Sequence, residues 1–189
     1  MKGKSKIVRL DEIGPVKLIK SPRAKYLNIY VRSSNLVWAA VPAGMSAGRA
    51  EMMVRNKMGW ILKQQERWRS REARTRQGMP EMPINSGNII RREILEYAER
   101  YGFYTRNVSI RRQKTRWGSC SGENNISLNI NIMRLPPNLR EYVILHELVH
   151  TRIKNHGQKF WQALEIICPQ AKKRRASLRE YGWLLTDSD

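Results

Sequence analysis

The spacing of apolar positions changes its period along the chain. In YLNIYVR, Leu27, Ile29 and Val31 alternate with Asn28, Tyr30 and Arg32, the period of two expected of a half-buried strand. The turn-forming SSN follows, then the apolar run LVWAAV, which Pro42 stops. Upstream, IVRL and VKLIK flank DEIGP and predict another hairpin. Together these segments predict a small antiparallel sheet. From Ser46 to about Gln77 the period lengthens. Ala50, Val54, Met58, Ile61, Gln65 and Trp68 recur at steps of three and four, which predicts one long helix whose other faces are rich in Arg and Lys.

The stretch GMPEMPINSG, residues 78–87, is dense in Pro, Gly and Asn and interrupts this pattern. It divides the chain into an N-terminal β segment with the long basic helix (1–80), a linker (81–87) and a second domain (88–189). That domain opens with a helix from about Asn88 to Tyr101, ended by Gly102. VSIRR, TRWGSCS and the alternating ISLNINIM read as strands, and SGENN as the turn between the last two. Leu135-Pro136-Pro137 closes the sheet and starts a helix over 139–153, since proline suits a first helical turn. A further helix covers about 158–167 and stops before Pro169, and KKRRASLREYGWLL predicts a basic helical tail. The fold class is α+β.

Composition narrows the function classes. The chain has 41% hydrophobic residues, enough to bury a core, but a formal charge of +20 and a pI near 10.6. Such a surface attracts nucleic acid, nucleotides or other anions through a field that salt screens. Cys120 and Cys168 are the two cysteines, too few for a disulfide framework. The N-terminus lacks an apolar run of signal-peptide length, and no segment approaches the ~20 apolar residues of a membrane span. The expectation is a cytoplasmic protein with no membrane partner.

The chemistry lies in YVILHELVHTRIKNHG, residues 142–157, which holds all three histidines of the chain. On a helix, His146 and His150 are one turn apart and share a side. Leu139, Tyr142, Val143, Val149 and Ile153 share it too, while Ile144, Leu145 and Leu148 cover much of the rest. A helix apolar almost all round is buried, and two buried imidazoles need something to satisfy their nitrogens. A divalent metal does so. Glu147, rotated away from the ligand direction, reaches the metal's water in the HExxH arrangement and acts as general base. Zinc suits three protein ligands and an open fourth position. His156 is the third ligand if the helix ends before it, at Lys154-Asn155, with Gly157 adding slack. The HExxHxxxxxH spacing is that of the metzincins, but Ile153 stands where they carry glycine. Glu165 on the following helix is the rival third ligand.

RRQKTRWGSCS, ISLNINIMRLPP, YVILHELVHTRIKNHGQKFW and CPQAKKRRASLREYG together resemble the YgjP-like family of zinc metallohydrolases, relatives of the SprT and WLM metalloproteases. The resemblance is strong over about residues 88–183. It implies a compact, zincin-like HExxH fold in which a small sheet packs on the active-site helix. It also implies one Zn2+ held by His146, His150 and His156, with Glu147 as catalytic base.

Around these residues, Arg116 is a candidate for holding a substrate carboxylate, a phosphate or a developing oxyanion. Trp117 and Cys120 read as packing beneath the metal helix, and ISLNINI as an ordinary strand or a peptide-binding edge. Trp60 and Trp68, among Arg and Lys, read first as core side chains of the helix, with the stacking and charge of a single-strand binder as the lesser alternative. Lys172–Arg175 is an anion-attracting run. The leading reading is a zinc-dependent hydrolase acting on peptide bonds. The alternatives are a nucleoside triphosphate pyrophosphatase, suited to the basic surface, and a nucleic-acid-associated protease or binding module.

Overall fold

Val8 and Leu10 on one strand, Val16 and Leu18 on the next, and Val37, Ala39 and Val41 on a third bury alternate side chains in register. They make one face of a four-stranded sheet. In this computed structural model, which describes residues 5–77, 79 and 81–186, the chain divides into two compact units, Met1–Arg74 and Thr75–Asp189. Gly78 and Pro80 of the turn-dense stretch lie outside the described residues.

The first unit holds β1 (Ser5–Leu10), β2 (Gly14–Ser21), β3 (Asn28–Val31) and β4 (Val37–Pro42), in the order β1-β2-β4-β3. The two expected hairpin pairings, β1 with β2 and β3 with β4, are antiparallel. The central pairing of β2 with β4 is parallel, so the sheet is mixed, not antiparallel throughout. Residues 22–36 carry the chain across to the far edge and back, which sequence alternation does not register.

The single long helix expected over 46–77 is two, α1 (Ala47–Arg55) and α2 (Met58–Arg76). Ser46 caps the first through Arg49 N–H, and Asn56 ends it. Lys57 N–H then donates to Val54 O at 3.0 Å, a tight turn that breaks the ladder. Asparagine favours such turns because its side chain competes with helical backbone bonds. Gln65 is buried, and its Nε2 donates to Ile13 O at 3.0 Å and Ser34 O at 2.8 Å, while its Oε1 has no partner. Trp68 gives its indole N–H to Val31 O at 3.1 Å, a structural use of that ring, whereas Trp60 is exposed.

The second unit begins with α3 (Ser86–Arg100), which ends ahead of Gly102, whose φ is +67°. A three-stranded sheet follows, β5 (Asn107–Arg111), β6 (Gly118–Cys120) and β7 (Asn125–Asn129), in the order β5-β7-β6. The strand expected over ISLNINI is shorter, because Asn129 turns it into a 3-10 helix at Ile130–Arg134. Asn129 is fully buried. Its Oδ1 accepts Asn131 N–H at 3.1 Å, and its Nδ2 donates to Gln113 O at 2.6 Å and Arg116 O at 3.1 Å. A residue that looks solvent-facing in the alternation therefore ties three segments together.

Helices α4 (Pro137–Val149), α5 (Gln158–Ile167) and α6 (Ala171–Leu178) and a 3-10 stretch (Arg179–Leu185) complete this unit. Ile144, Leu145 and Leu148 of α4 are fully buried against a core that includes Ile90 and Ile94 of α3, Ile126 and Leu128 of β7, and Phe160 and Leu164 of α5. Burying a side chain of this size contributes roughly 1.5–3 kcal/mol. The whole is an α+β architecture with two small mixed sheets. Among the described residues, no helix is long and apolar enough to cross a membrane.

Candidate metal centre

Helix α4 stops four residues earlier than its apolar pattern suggests, at Val149, with His150 as its C-cap. Thr151 closes the end twice over: its N–H and its hydroxyl both donate to Leu148 O, at 2.9 and 2.7 Å. A threonine hydroxyl bonding back to the preceding turn is a known competitor of helix propagation. The expected break at Lys154-Asn155 is thus already under way at Thr151. The chain then reverses, and Asn155 Oδ1 accepts Gly157 N–H at 3.2 Å as α5 begins.

This reversal brings the three imidazoles together. His156 Nε2 lies 3.0 Å from His150 Nε2 and 3.0 Å from His146 Nε2. All three potential ligand atoms lie within 4.8 Å of one another. Glu165 is elsewhere. Its carboxylate accepts Gln170 N–H at 2.6 Å and Ala171 N–H at 3.0 Å, at the start of α6. Phe160, buried, sits with its ring 4.5–4.9 Å from each imidazole, an apolar floor beneath them. His150 is buried, His146 intermediate and His156 exposed, so one side of the cluster is open.

The donor set fits a metal ion. His150 Nδ1 donates to Ile153 O at 2.9 Å, leaving the Nε2 lone pair facing the other rings. Tyr142 Oη stands 3.4 Å from His146 Nδ1 and can orient that ring in the same sense. Burial holds the pKa of all three below the ordinary imidazole range, His146 to about 3, and the neighbouring histidines add to the effect there. Neutral imidazoles with converging lone pairs need a cation between them. A tetrahedral site with metal–nitrogen bonds of 2.0–2.1 Å asks for nitrogens about 3.3 Å apart, close to the spacing here.

Glu147 is buried at 6% exposure, and its Oε2 has no hydrogen-bond partner. Burial pushes its pKa up to about 8, with Arg116 opposing. The carboxylate rests on the bare backbone of Gly118, where an added Cβ would lie 2.6–2.8 Å from Glu147 Cγ, Cδ and Oε1. A strand glycine marks a close approach of this kind, and that was the available signal within TRWGSCS.

Arg116, expected beside the site, is exposed and lines a cavity of ≈ 500 Å³ on the sheet. Trp117 and Cys120 pack partly buried against the core, as expected. The peptide-edge reading of ISLNINI does not hold, because β7 is the central strand, paired on both sides. The outer strand nearest Glu147 is β6. Sequence reasoning also passed over Trp161, whose indole N–H donates to His156 O at 3.0 Å. Arg175 lies over that ring, 5.1 Å from its centroid.

A helix carrying His146 and the buried Glu147, capped by His150, with His156 folded back onto them, gathers three imidazoles that could hold a metal ion. The chain belongs to the YgjP-like family, whose metallopeptidase-domain model matches residues 85–181. Membership supports a metal-dependent hydrolase of the metallopeptidase type and implies a catalytic metal. No curated protein sequence matches the chain. Among solved structures it is similar to the metallopeptidase zymogen of Pyrococcus abyssi abylysin, with 22% identity and a TM-score of 0.43, covering 47% of this chain and 90% of that one. It is similar also to the metallopeptidase zymogen of Methanocaldococcus jannaschii jannalysin, with 25% identity and a TM-score of 0.44, covering 49% and 95% respectively.

Proposed function

We propose that the protein is a zinc-dependent peptidase in which His146, His150 and His156 hold the metal and Glu147 is the general base. The observation that carries this reading is the convergence of three neutral imidazole nitrogens, with His156 Nε2 3.0 Å from each of the other two, beside a buried, unpartnered carboxylate oxygen. Zinc accepts three nitrogen ligands with a vacant position, and when bound supplies Lewis acidity toward a carbonyl oxygen and water. Glu147 takes the proton of the attacking water and returns it to the departing amine. A carboxyl whose pKa is raised toward neutrality is suited to both halves of that task. Ile153 O and Tyr142 keep two of the imidazoles turned inward, and Phe160 keeps their rings from rotating into the core.

The test is metal analysis and peptide hydrolysis on the same preparations. Wild type should hold one zinc per chain and cleave an unstructured protein substrate. Glu147→Gln should keep the zinc and lose cleavage, and His156→Ala should lose both. Release of pyrophosphate from nucleoside triphosphates by wild type, absent in Glu147→Gln and without any peptide cleavage, would replace this reading with the nucleotide one.

A further inference from the structure

We infer that the substrate is an acidic peptide, its carboxylates held by Arg175 beside the histidine cluster and by Arg116 at the adjoining sheet; this names the substrate class of the peptidase site proposed above and rests on that reading.

Two guanidinium groups near the centre are unspent. Arg174 is consumed by Glu141, at 2.5 Å, and by Asn138 O at 3.2 Å. Its neighbour Arg175 has no carboxylate within 4.0 Å among the described residues, nor has Arg116. Arg175 instead lies on the indole of Trp161, which is pinned by its bond to His156 O. The Trp161 ring centroid is 6.1 Å from that of His156 and 6.4 Å from that of His146. The indole is therefore a fixed shelf joining the guanidinium to the imidazoles. An arginine stacked on an aromatic ring loses little further freedom when it grips a carboxylate in its fork.

Arg116 marks the second contact. On edge strand β6, Gly118 meets Glu147, and Ser119, one residue on, faces the other way. Ser119, Ser127 and Ser109 stand in register across the three strands, and line the ≈ 500 Å³ cavity together with Arg116 and Arg111. No Asp or Glu lines it. This cavity of hydroxyls and guanidinium groups, on the face of edge strand β6 opposite the one that meets Glu147, suits carboxylate side chains through charge-assisted hydrogen bonds.

The experiment compares two labelled hexapeptides, one rich in Asp and Glu and the other with Asn and Gln in their places. Their binding to the metal-free 189-residue chain is read by fluorescence anisotropy. The acidic peptide should bind about tenfold tighter or more. Arg116→Gln and Arg175→Gln should each remove most of that preference. Arg92→Gln, whose parent side chain pairs with Glu96 on α3, should leave it intact. Equal binding of the two peptides, an equal loss in Arg92→Gln, or a preference that survives the double variant overturns the inference. So does a nucleoside triphosphate that binds more tightly than the acidic peptide and is released by the same two substitutions. Because binding is read without hydrolysis, a peptide held through Arg116 and Arg175 but never cut by the zinc-loaded protein supports the inference while removing the peptidase reading. Cleavage of both peptides at equal kcat/KM does the reverse.

Discussion

Gly118 and Glu147 share a space that admits one side chain. The carboxylate and its Cγ occupy the volume that any Cβ at position 118 would claim, at 2.6–2.8 Å. Contacts that short do not occur between side chains, so one group must yield. Gly118→Ala should displace the Glu147 carboxylate and lower kcat by roughly 10²-fold, the usual cost of a 1 Å misplacement, with zinc retained. The same substitution should destabilise wild type yet be nearly neutral to the melting temperature in a Glu147→Ala background. An equal effect in both backgrounds would mean that the two residues do not compete.

Glu147 should burden the fold at neutral pH. Its carboxyl titrates near 8 in the folded metal-free protein because of burial, against about 4.3 for an unperturbed glutamate. The folded state therefore holds a proton that the unfolded state has released, and stability falls as pH rises from about 4.5 to 8. Glu147→Gln removes this term. In the presence of a chelator at pH 8 the variant should be more stable by about 2–4 kcal/mol, and at pH 4 equal to wild type. Denaturant melts at the two pH values check it. A difference that persists at pH 4 would point to packing instead of ionisation.

The two candidate third ligands should behave oppositely. His156→Ala is expected to lower zinc affinity well beyond the 10–100-fold that a supporting residue commands. Tyr142→Phe should fall within that supporting range. Glu165→Ala should leave zinc content unchanged and cost about 1 kcal/mol, as loss of a helix cap does. Zinc titration against a competing chelator separates these outcomes, and loss of zinc from Glu165→Ala would make Glu165 a ligand.

The thiols should react in order. Cys168 is fully buried and burial pushes its pKa up to about 11, whereas Cys120 is half-buried, with Lys154 Nζ 3.6 Å from its sulfur. Because the thiolate is the reactive form, a disulfide reagent at pH 8 should titrate one thiol in the native protein. The second should appear only with denaturant. Two thiols reacting at the same rate would contradict the packing of α5 against the core.

Much of the second unit was legible in the order of residues because its signals are local. The 3.6-residue period, Pro136-Pro137 and Gly102 marked α3 and α4, and the i, i+4 pair with its intervening glutamate pointed to the proposed chemistry. Less was legible wherever a side chain acts across the fold. Asn56 and Thr151 look unremarkable in a helical pattern, yet each ends a helix through backbone bonds that periodicity does not record. Asn129 reads as the solvent side of a strand and is the most deeply bonded polar group near the site. The parallel pairing of β2 with β4 depends on a crossover of no fixed length.

By itself, the order of residues singled out the groups proposed to carry the chemistry, His146, Glu147, His150 and His156, because helical spacing is a matter of covalent geometry. Only the tertiary structure decided where those groups stand. Folding back at Thr151 brings His156 Nε2 to 3.0 Å from the Nε2 atoms of both His146 and His150, and the edge strand at Gly118 leaves room for the carboxylate. Trp161 holds Arg175 beside them. Those placements come from packing between segments far apart in the chain, and a linear pattern contains no term for that.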